Sequence, residues 1–151
     1  MYKLNTKCIL NLCKNISYTM HNNHTSFKNI HNLINHYKYS DWEKYISNKS
    51  NVNYLLYTDT YIDVYLKKWS IHNKHYPFNV TKHQSFIKIL NGSLIKIDNL
   101  NYSTNYSHIL IKNDLLFLDS NDVYSIENNV HKNGKNNDTI SLHIYNNLSI
   151  E

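Results

Sequence analysis

Ten histidines are the residues of this 151-residue chain best suited to chemistry. His72-x2-His75 and His83 lie close together, and His143 stands two residues before Tyr145. Imidazole is a metal ligand and a proton carrier near neutral pH. Imidazoles that share a metal ion must converge on one face. A spacing of three does not put His72 and His75 on one face of a regular strand, whereas His143 and Tyr145 share one. A buried His143–Tyr145 hydrogen bond is enough to account for that pair without catalysis. His21-x2-His24 and the pair His31 and His36 have helical or loop spacing and are expected in solvent. Cys8 and Cys13 make one C-x4-C pair, too little for a disulfide framework or a metal motif. Two reduced thiols are expected.

The basic side chains narrow the chemistry further. The chain has a net charge of +5, all of it from Lys, because Arg is absent; so is Ala. Lys is a point charge and cannot form the planar fork that grips a carboxylate with two hydrogen bonds. Without Arg, guanine readout and narrow-groove insertion are poorly served, and the Lys residues are dispersed apart from Lys67-Lys68 and the 131–135 loop. Specific nucleic-acid binding is not expected. Asn, Lys, Ile and Tyr dominate, which reads as AT-rich coding bias of the kind some viruses and protists show. Hydrophobic content of 41% and charged content of 18% suit a globular chain. Residues 1–20 are broken by Lys3, Lys7 and Lys14, so no signal-peptide core is read, and no apolar run reaches membrane-spanning length. A cytoplasmic protein is expected, in the host cytoplasm if the source is viral, with no membrane partner.

The elements that must position these residues follow from periodicity. Residues 1–25 read as a poorly patterned N-terminus. Ile30, Leu33, Ile34 and Tyr37 recur at helical spacing behind Ser26, a candidate N-cap, and Ser40-Asp41-Trp42-Glu43 reads as a capping box opening a second short helix to about Ser47. After Lys49 the period falls to two. Strands are expected at Tyr54–Tyr57, Tyr61–Trp69, Ser107–Ile111, Leu115–Leu118, Val123–Glu127 and Thr139–Tyr145, with an 86–97 hairpin turning at Asn91-Gly92. Pro77 marks an irregular or edge segment, and 128–138 reads as a surface turn. Helices followed by short strands predict a mainly β sandwich or jelly-roll barrel, with a helical cap over 26–48 and the strands over 52–147. Residues 26–151 would form a single domain.

The motif text resembles the cysteine dioxygenase family of the cupin superfamily. That family carries a strand ending in Trp, then Ile-His-x-His, then Cys-Phe-Leu-Lys-x-Leu-x-Gly-x-Leu. Here Trp69 is followed by Pro77-Phe78-Asn79-Val80 and Ser85-Phe86-Ile87-Lys88-Ile89-Leu90-Asn91-Gly92-Ser93-Leu94, without a gap. The family's Asp-Ser-x-Gly-x-His-x-Val-Glu-Asn is matched by Asp119 to Asn128, and its Ser-Leu-His-Leu-Tyr by Ser141 to Tyr145. The resemblance spans roughly residues 40–147 and implies a double-stranded β-helix. It also implies that the three iron-ligand positions hold Phe78, Val80 and Tyr124, that the cross-linking Cys has become Ser85 opposite Tyr145, and that no Arg clamps a substrate. His143 and Tyr145 are the pocket residues retained. The implied function is an inactive pseudoenzyme kept for a binding, regulatory or structural role, with no cofactor and with a protein partner. The alternatives are an active Fe(II) thiol dioxygenase using His72, His75 and His143, and a plain protein-interaction module.

Overall fold

Alternating apolar residues set this chain into strands, and a helical segment closes one face of them. The computed structural model describes residues 7–23, 26–46, 53–70, 79–80, 83–99, 105–120, 122–129 and 138–148. Helix α1 spans Ile9–Asn23, a 3-10 turn spans Phe27–Ile30, α2 spans His31–His36, and a second 3-10 turn spans Asp41–Tyr45. The strands are β1 Asn53–Thr58, β2 Ile62–Trp69, β3 Asn79–Val80, β4 Ser85–Asn91, β5 Ser93–Asn99, β6 Asn105–Ile111, β7 Leu115–Leu118, β8 Val123–Asn128 and β9 Thr139–Asn146. They form two antiparallel sheets, ordered β1-β2-β9-β4-β7 and β3-β8-β5-β6. The expected jelly roll of two facing sheets is what forms. Among the described residues the pairing does not close it into a continuous barrel. No described helix is long and apolar enough to cross a membrane.

Asn91-Gly92 is not a hairpin. β4 pairs with β7 and β9 in the first sheet, while β5 pairs with β6 and β8 in the second. A two-residue type I′ hairpin needs positive φ at both central residues. Only Gly92 has it, at 79°. The chain therefore turns a corner and changes sheets. The corner is tight, because Ser93 N donates to Thr139 Oγ1 at 3.0 Å and draws β5 against the start of β9.

Two cores result. Even-numbered residues of the first sheet (Ile62, Val64, Leu66, Phe86, Leu90, Ile140, Leu142, Ile144) pack under the helical cap. Trp69, Ile87, Ile89, Leu94, Leu118, Tyr124 and Ile126 fill the space between the sheets. The cap starts earlier than expected. Residues 9–23, read as unpatterned, form α1, which buries Ile9, Leu12, Cys13, Ile16 and Met20 on one stripe. Cys8 and Cys13 are free thiols, and burial pushes Cys13 up to about 12.

The expected caps do not form either. Neither Ser26 nor Ser40 makes a side-chain cap hydrogen bond. Asp41 serves α1 instead: Oδ2 accepts from Ile9 N at 2.8 Å and Oδ1 from the Tyr37 hydroxyl at 2.6 Å. A carboxylate at a helix N-terminus satisfies an orphan donor and faces the positive end of the dipole. Tyr37 itself leaves the helix, with extended backbone at the end of α2.

Because the cap covers β4, Lys88 is buried at 1% exposure and its ammonium donates to the Asn35 carbonyl at 3.4 Å. Burial, reinforced by the charge of Lys38, pulls its pKa down to about 8. The unfolded lysine keeps its proton to about 10.4. Between those values the unfolded chain binds more protons, so this residue's contribution to stability rises with pH. Lys88→Met is expected to be ~1–3 kcal/mol more stable than the wild type at pH 7. That advantage should shrink steadily from pH 8 to pH 10 in paired urea denaturations. Reading the difference at each pH removes the opposite drift that Cys13 adds above pH 9. An advantage that does not change with pH would contradict this burial.

Candidate functional site

The strand period places Tyr65, Lys67 and Trp69 of β2 beside Ser141, His143 and Tyr145 of β9, between the two sheets. In the ladder Tyr65 lies opposite His143 and Lys67 opposite Ser141. A continuous polar chain joins them. Trp69 Nε1 donates to Ser141 Oγ at 2.7 Å, and Ser141 Oγ lies 2.8 Å from His143 Nε2. His143 Nδ1 lies 3.4 Å from the Tyr145 hydroxyl, which accepts from Lys67 Nζ at 3.0 Å. Both ring nitrogens of His143 are therefore engaged inside the chain. Its ring is stacked near Tyr145, with centroids 6.2 Å apart, and is 3% exposed.

Burial sets the protonation of this cluster. It pushes the Tyr145 phenol up to about 12, so the hydroxyl keeps its proton at neutral pH. Burial also lowers the Lys67 ammonium from its ordinary value. Tyr124, on the facing sheet, is pushed up to about 12 by burial, with Tyr145 and Asp122 adding to it.

Ser85 of β4 stands directly opposite Tyr145 in the ladder. These are the two positions that the sequence resemblance assigns to a Cys–Tyr cross-link. Ser85 is 1% exposed and its Oγ has no hydrogen-bond partner. An unsatisfied buried hydroxyl costs about 1–3 kcal/mol, so this hydroxyl is not held here by local bonding.

Of the positions that the resemblance assigns to iron ligands, Tyr124 and Val80 fall among the described residues. Tyr124 offers a protonated phenol packed among Trp69, Ile87 and Leu118. Val80, paired with Val123 on β3, is a hydrocarbon residue. Phe78 lies outside the described residues. So do His72 and His75, the other two members of the rebuilt three-histidine set. Among the described residues no three His, Cys, Asp or Glu side chains gather as a metal site. His143 could join one only by giving up Ser141 or Tyr145. Of the remaining histidines, His21 bonds the Tyr61 hydroxyl and His36 the Asn32 carbonyl, both at the surface, and His31 is exposed. His24 lies outside the described residues.

Sequence reasoning missed Lys67, Ser141 and Trp69 as members of the site. The signal was present: Tyr65, Lys67 and Trp69 sit at one parity of a strand whose other parity is Ile62, Val64 and Leu66. Lys67-Lys68 read as a local charge concentration. The pleat splits them, Lys67 going to Tyr145 and Lys68 to Asp138 at 3.1 Å.

A cavity of about 350 Å³ opens at the Tyr145 end of the polar chain, lined by Tyr65, Lys67, Tyr145, Asp63 and His83, with Asn53 and Asn147 at its side. A larger hollow of about 440 Å³ lies elsewhere, between Tyr37–Glu43 and the Asn91 and Asn113 turns. It contains none of the residues of the polar chain.

No family model matches the chain, and neither does any curated protein. Solved structures do. A cupin superfamily protein from Desulfitobacterium hafniense is similar at 13% identity, over 67% of this chain and 83% of that one, with a TM-score of 0.51. An RmlC-like cupin with a double-stranded β-helix from Methanocaldococcus jannaschii is similar at 10% identity, over 66% and 83%, with a TM-score of 0.52. A putative mannose-6-phosphate isomerase from Ralstonia eutropha is similar at 8% identity, over 68% and 90%, with a TM-score of 0.54. At these identities the likeness establishes the fold, a cupin double-stranded β-helix, and nothing about activity.

Proposed function

We propose that this cupin is a divergent relative of the cysteine dioxygenases that has given up iron chemistry and serves as a binding or regulatory protein in the cytoplasm, with a protein partner. One observation carries the reading: the chain Trp69–Ser141–His143–Tyr145–Lys67 ties up the imidazole and phenol that the resemblance places at the reaction centre. A dioxygenase needs those groups turned toward substrate. Here they bond one another, which fixes their orientation within the chain. Three further features support it. Val80 and Tyr124 stand where imidazoles would be needed. Ser85 brings no sulfur to Tyr145. The chain has no Arg to clamp a substrate carboxylate. Loss of one group would leave an impaired enzyme. Joint loss at all these positions, on a scaffold that keeps the Asn91-Gly92 corner and Trp69, fits a chain retained for its shape.

The test is catalytic. The protein, purified without oxygen and supplied with Fe(II), is mixed with cysteine and O2, and cysteine sulfinate is measured. No sulfinate above the rate of free Fe(II) is expected. Turnover that His143→Ala abolishes would replace this reading with an active thiol dioxygenase whose ligands include His72, His75 and His143.

A further inference from the structure

The hollow of about 440 Å³ shares no residue with the polar chain, and its lining is chemically mixed. One wall is the chain running from α2 into the second 3-10 turn. The other is the end of β4 with the β6–β7 turn. Bonds outside the hollow hold both walls. The Tyr37 hydroxyl donates to Asp41 Oδ1 at 2.6 Å, Glu43 N to Ser40 O at 3.0 Å, and Asn113 N to Ile89 O at 2.8 Å. A cavity held in this way is formed before a ligand arrives, and its volume suits a small molecule or one polar group of a larger one.

Three kinds of group line it. Tyr39 and Trp42 are aromatic, at 43% and 9% exposure, and the buried Tyr37 ring lies 6.1 Å from that of Tyr39. Glu43 brings an exposed carboxylate. Lys38 and Lys112, also exposed, bring an ammonium from each wall. No ion pair among the described residues includes any of these three charges. Nor does any hydrogen bond among them use the Trp42 indole N–H, although that residue is nine-tenths buried. Together these groups narrow what can bind. A plain anion meets Glu43 and the negative ring faces. A plain cation meets Lys38 and Lys112. An apolar ligand takes water from all three charges and returns nothing.

We propose that this hollow binds a zwitterion that joins an alkylated ammonium to an oxyanion, as in a betaine or a phosphocholine group. Aromatic rings attract an alkylated ammonium through their quadrupoles, and Glu43 adds a countercharge. Lys38 and Lys112 take the oxyanion by charge-assisted hydrogen bonds, with no fork geometry imposed on it. The Trp42 N–H is a further donor for the same group. This site does not depend on the reading of the polar chain, since no residue is common to the two.

The full chain is titrated with phosphocholine and separately with glycine betaine, at constant ionic strength, followed by amide chemical shifts. Saturable shifts at Tyr39, Glu43 and Asn113 are expected with at least one of them. Choline alone and inorganic phosphate alone should each bind at least ten-fold more weakly. Glu43→Gln and Tyr39→Ala, both at exposed positions, should each weaken zwitterion binding about ten-fold. Lys112→Met should weaken phosphocholine but not choline. Lys14→Met, exposed on α1, should change nothing. No saturable shift with either zwitterion, unchanged affinity in Glu43→Gln or Tyr39→Ala, or inorganic phosphate binding as tightly as phosphocholine overturns the site. Sedimentation with phosphatidylcholine vesicles then separates two sources of the same chemistry. Chain that binds phosphocholine and also sediments reads a lipid headgroup, and chain that binds only the free form reads a solute.

Discussion

Gly92→Val is expected to lower stability by ~3–5 kcal/mol, a large fraction of the stability of an ordinary domain. Two independent penalties act there. The backbone sits at φ +79°, where a β-branched residue is strained. A Cβ at this position would also lie 2.5 Å from Thr139 Oγ1 and 2.9 Å from Thr139 Cα. The second neighbour is backbone and cannot swing aside. Thr139 is also fixed by its own bonds, since its hydroxyl accepts from Ser93 N and serves Ser93 O and Asn128 Oδ1. Relieving the clash therefore means parting the two sheets at their join. Urea denaturation of Gly92→Ala and Gly92→Val measures the effect, with valine the worse. A loss below ~1 kcal/mol for valine would mean that β5 does not cross against β9 as described.

Phe86→Ala is expected to cost ~3–5 kcal/mol, the range for a fully buried aromatic truncated in a core that cannot collapse. Phe86 is 1% exposed and lies between Phe27 of the cap, at 5.2 Å, and Phe117 of β7, at 5.1 Å. It is the side chain through which the first 3-10 turn grips the sheet. Its loss should therefore do more than lower the denaturation midpoint. Amides of α2 should exchange with solvent faster relative to those of β9, because the cap loosens before the sheet does. Tyr18→Ala, at a position 65% exposed, should stay within about 0.5 kcal/mol of the wild type. A similarly small change for Phe86→Ala would contradict the docking of the cap.

The strands were legible because alternation is a local signal, and β1, β2, β7, β8 and β9 fall within a residue or two of their expected places. Pairing was not legible to the same degree. Asn-Gly between alternating runs suits either a hairpin or a corner, and only the sign of φ at Asn91 separates them. Helix α1 carried its signal at residues 9, 12, 13, 16 and 20, but Asn15 and the other polar residues between them diluted it. Asp41 looked like part of a local box, because a sequence does not show that a carboxylate will reach back across 32 positions to Ile9. Lys88 shows the same limit. Between Ile87 and Ile89 it reads as the solvent face of a strand, and a cap folded from distant residues buries it. The candidate site divides in the same way. His143 and Tyr145 could be placed together from their spacing, whereas Lys67 and Trp69 join them through a ladder whose register is set by the whole sheet.

The proposal that this chain, with its cupin-like fold, holds no iron is tested most directly by iron content. Protein expressed with iron in excess, purified without oxygen and freed of loosely held metal should contain far less than one iron per chain by elemental analysis, and His143→Ala should not alter that value. One iron per chain that is lost in His143→Ala would contradict it.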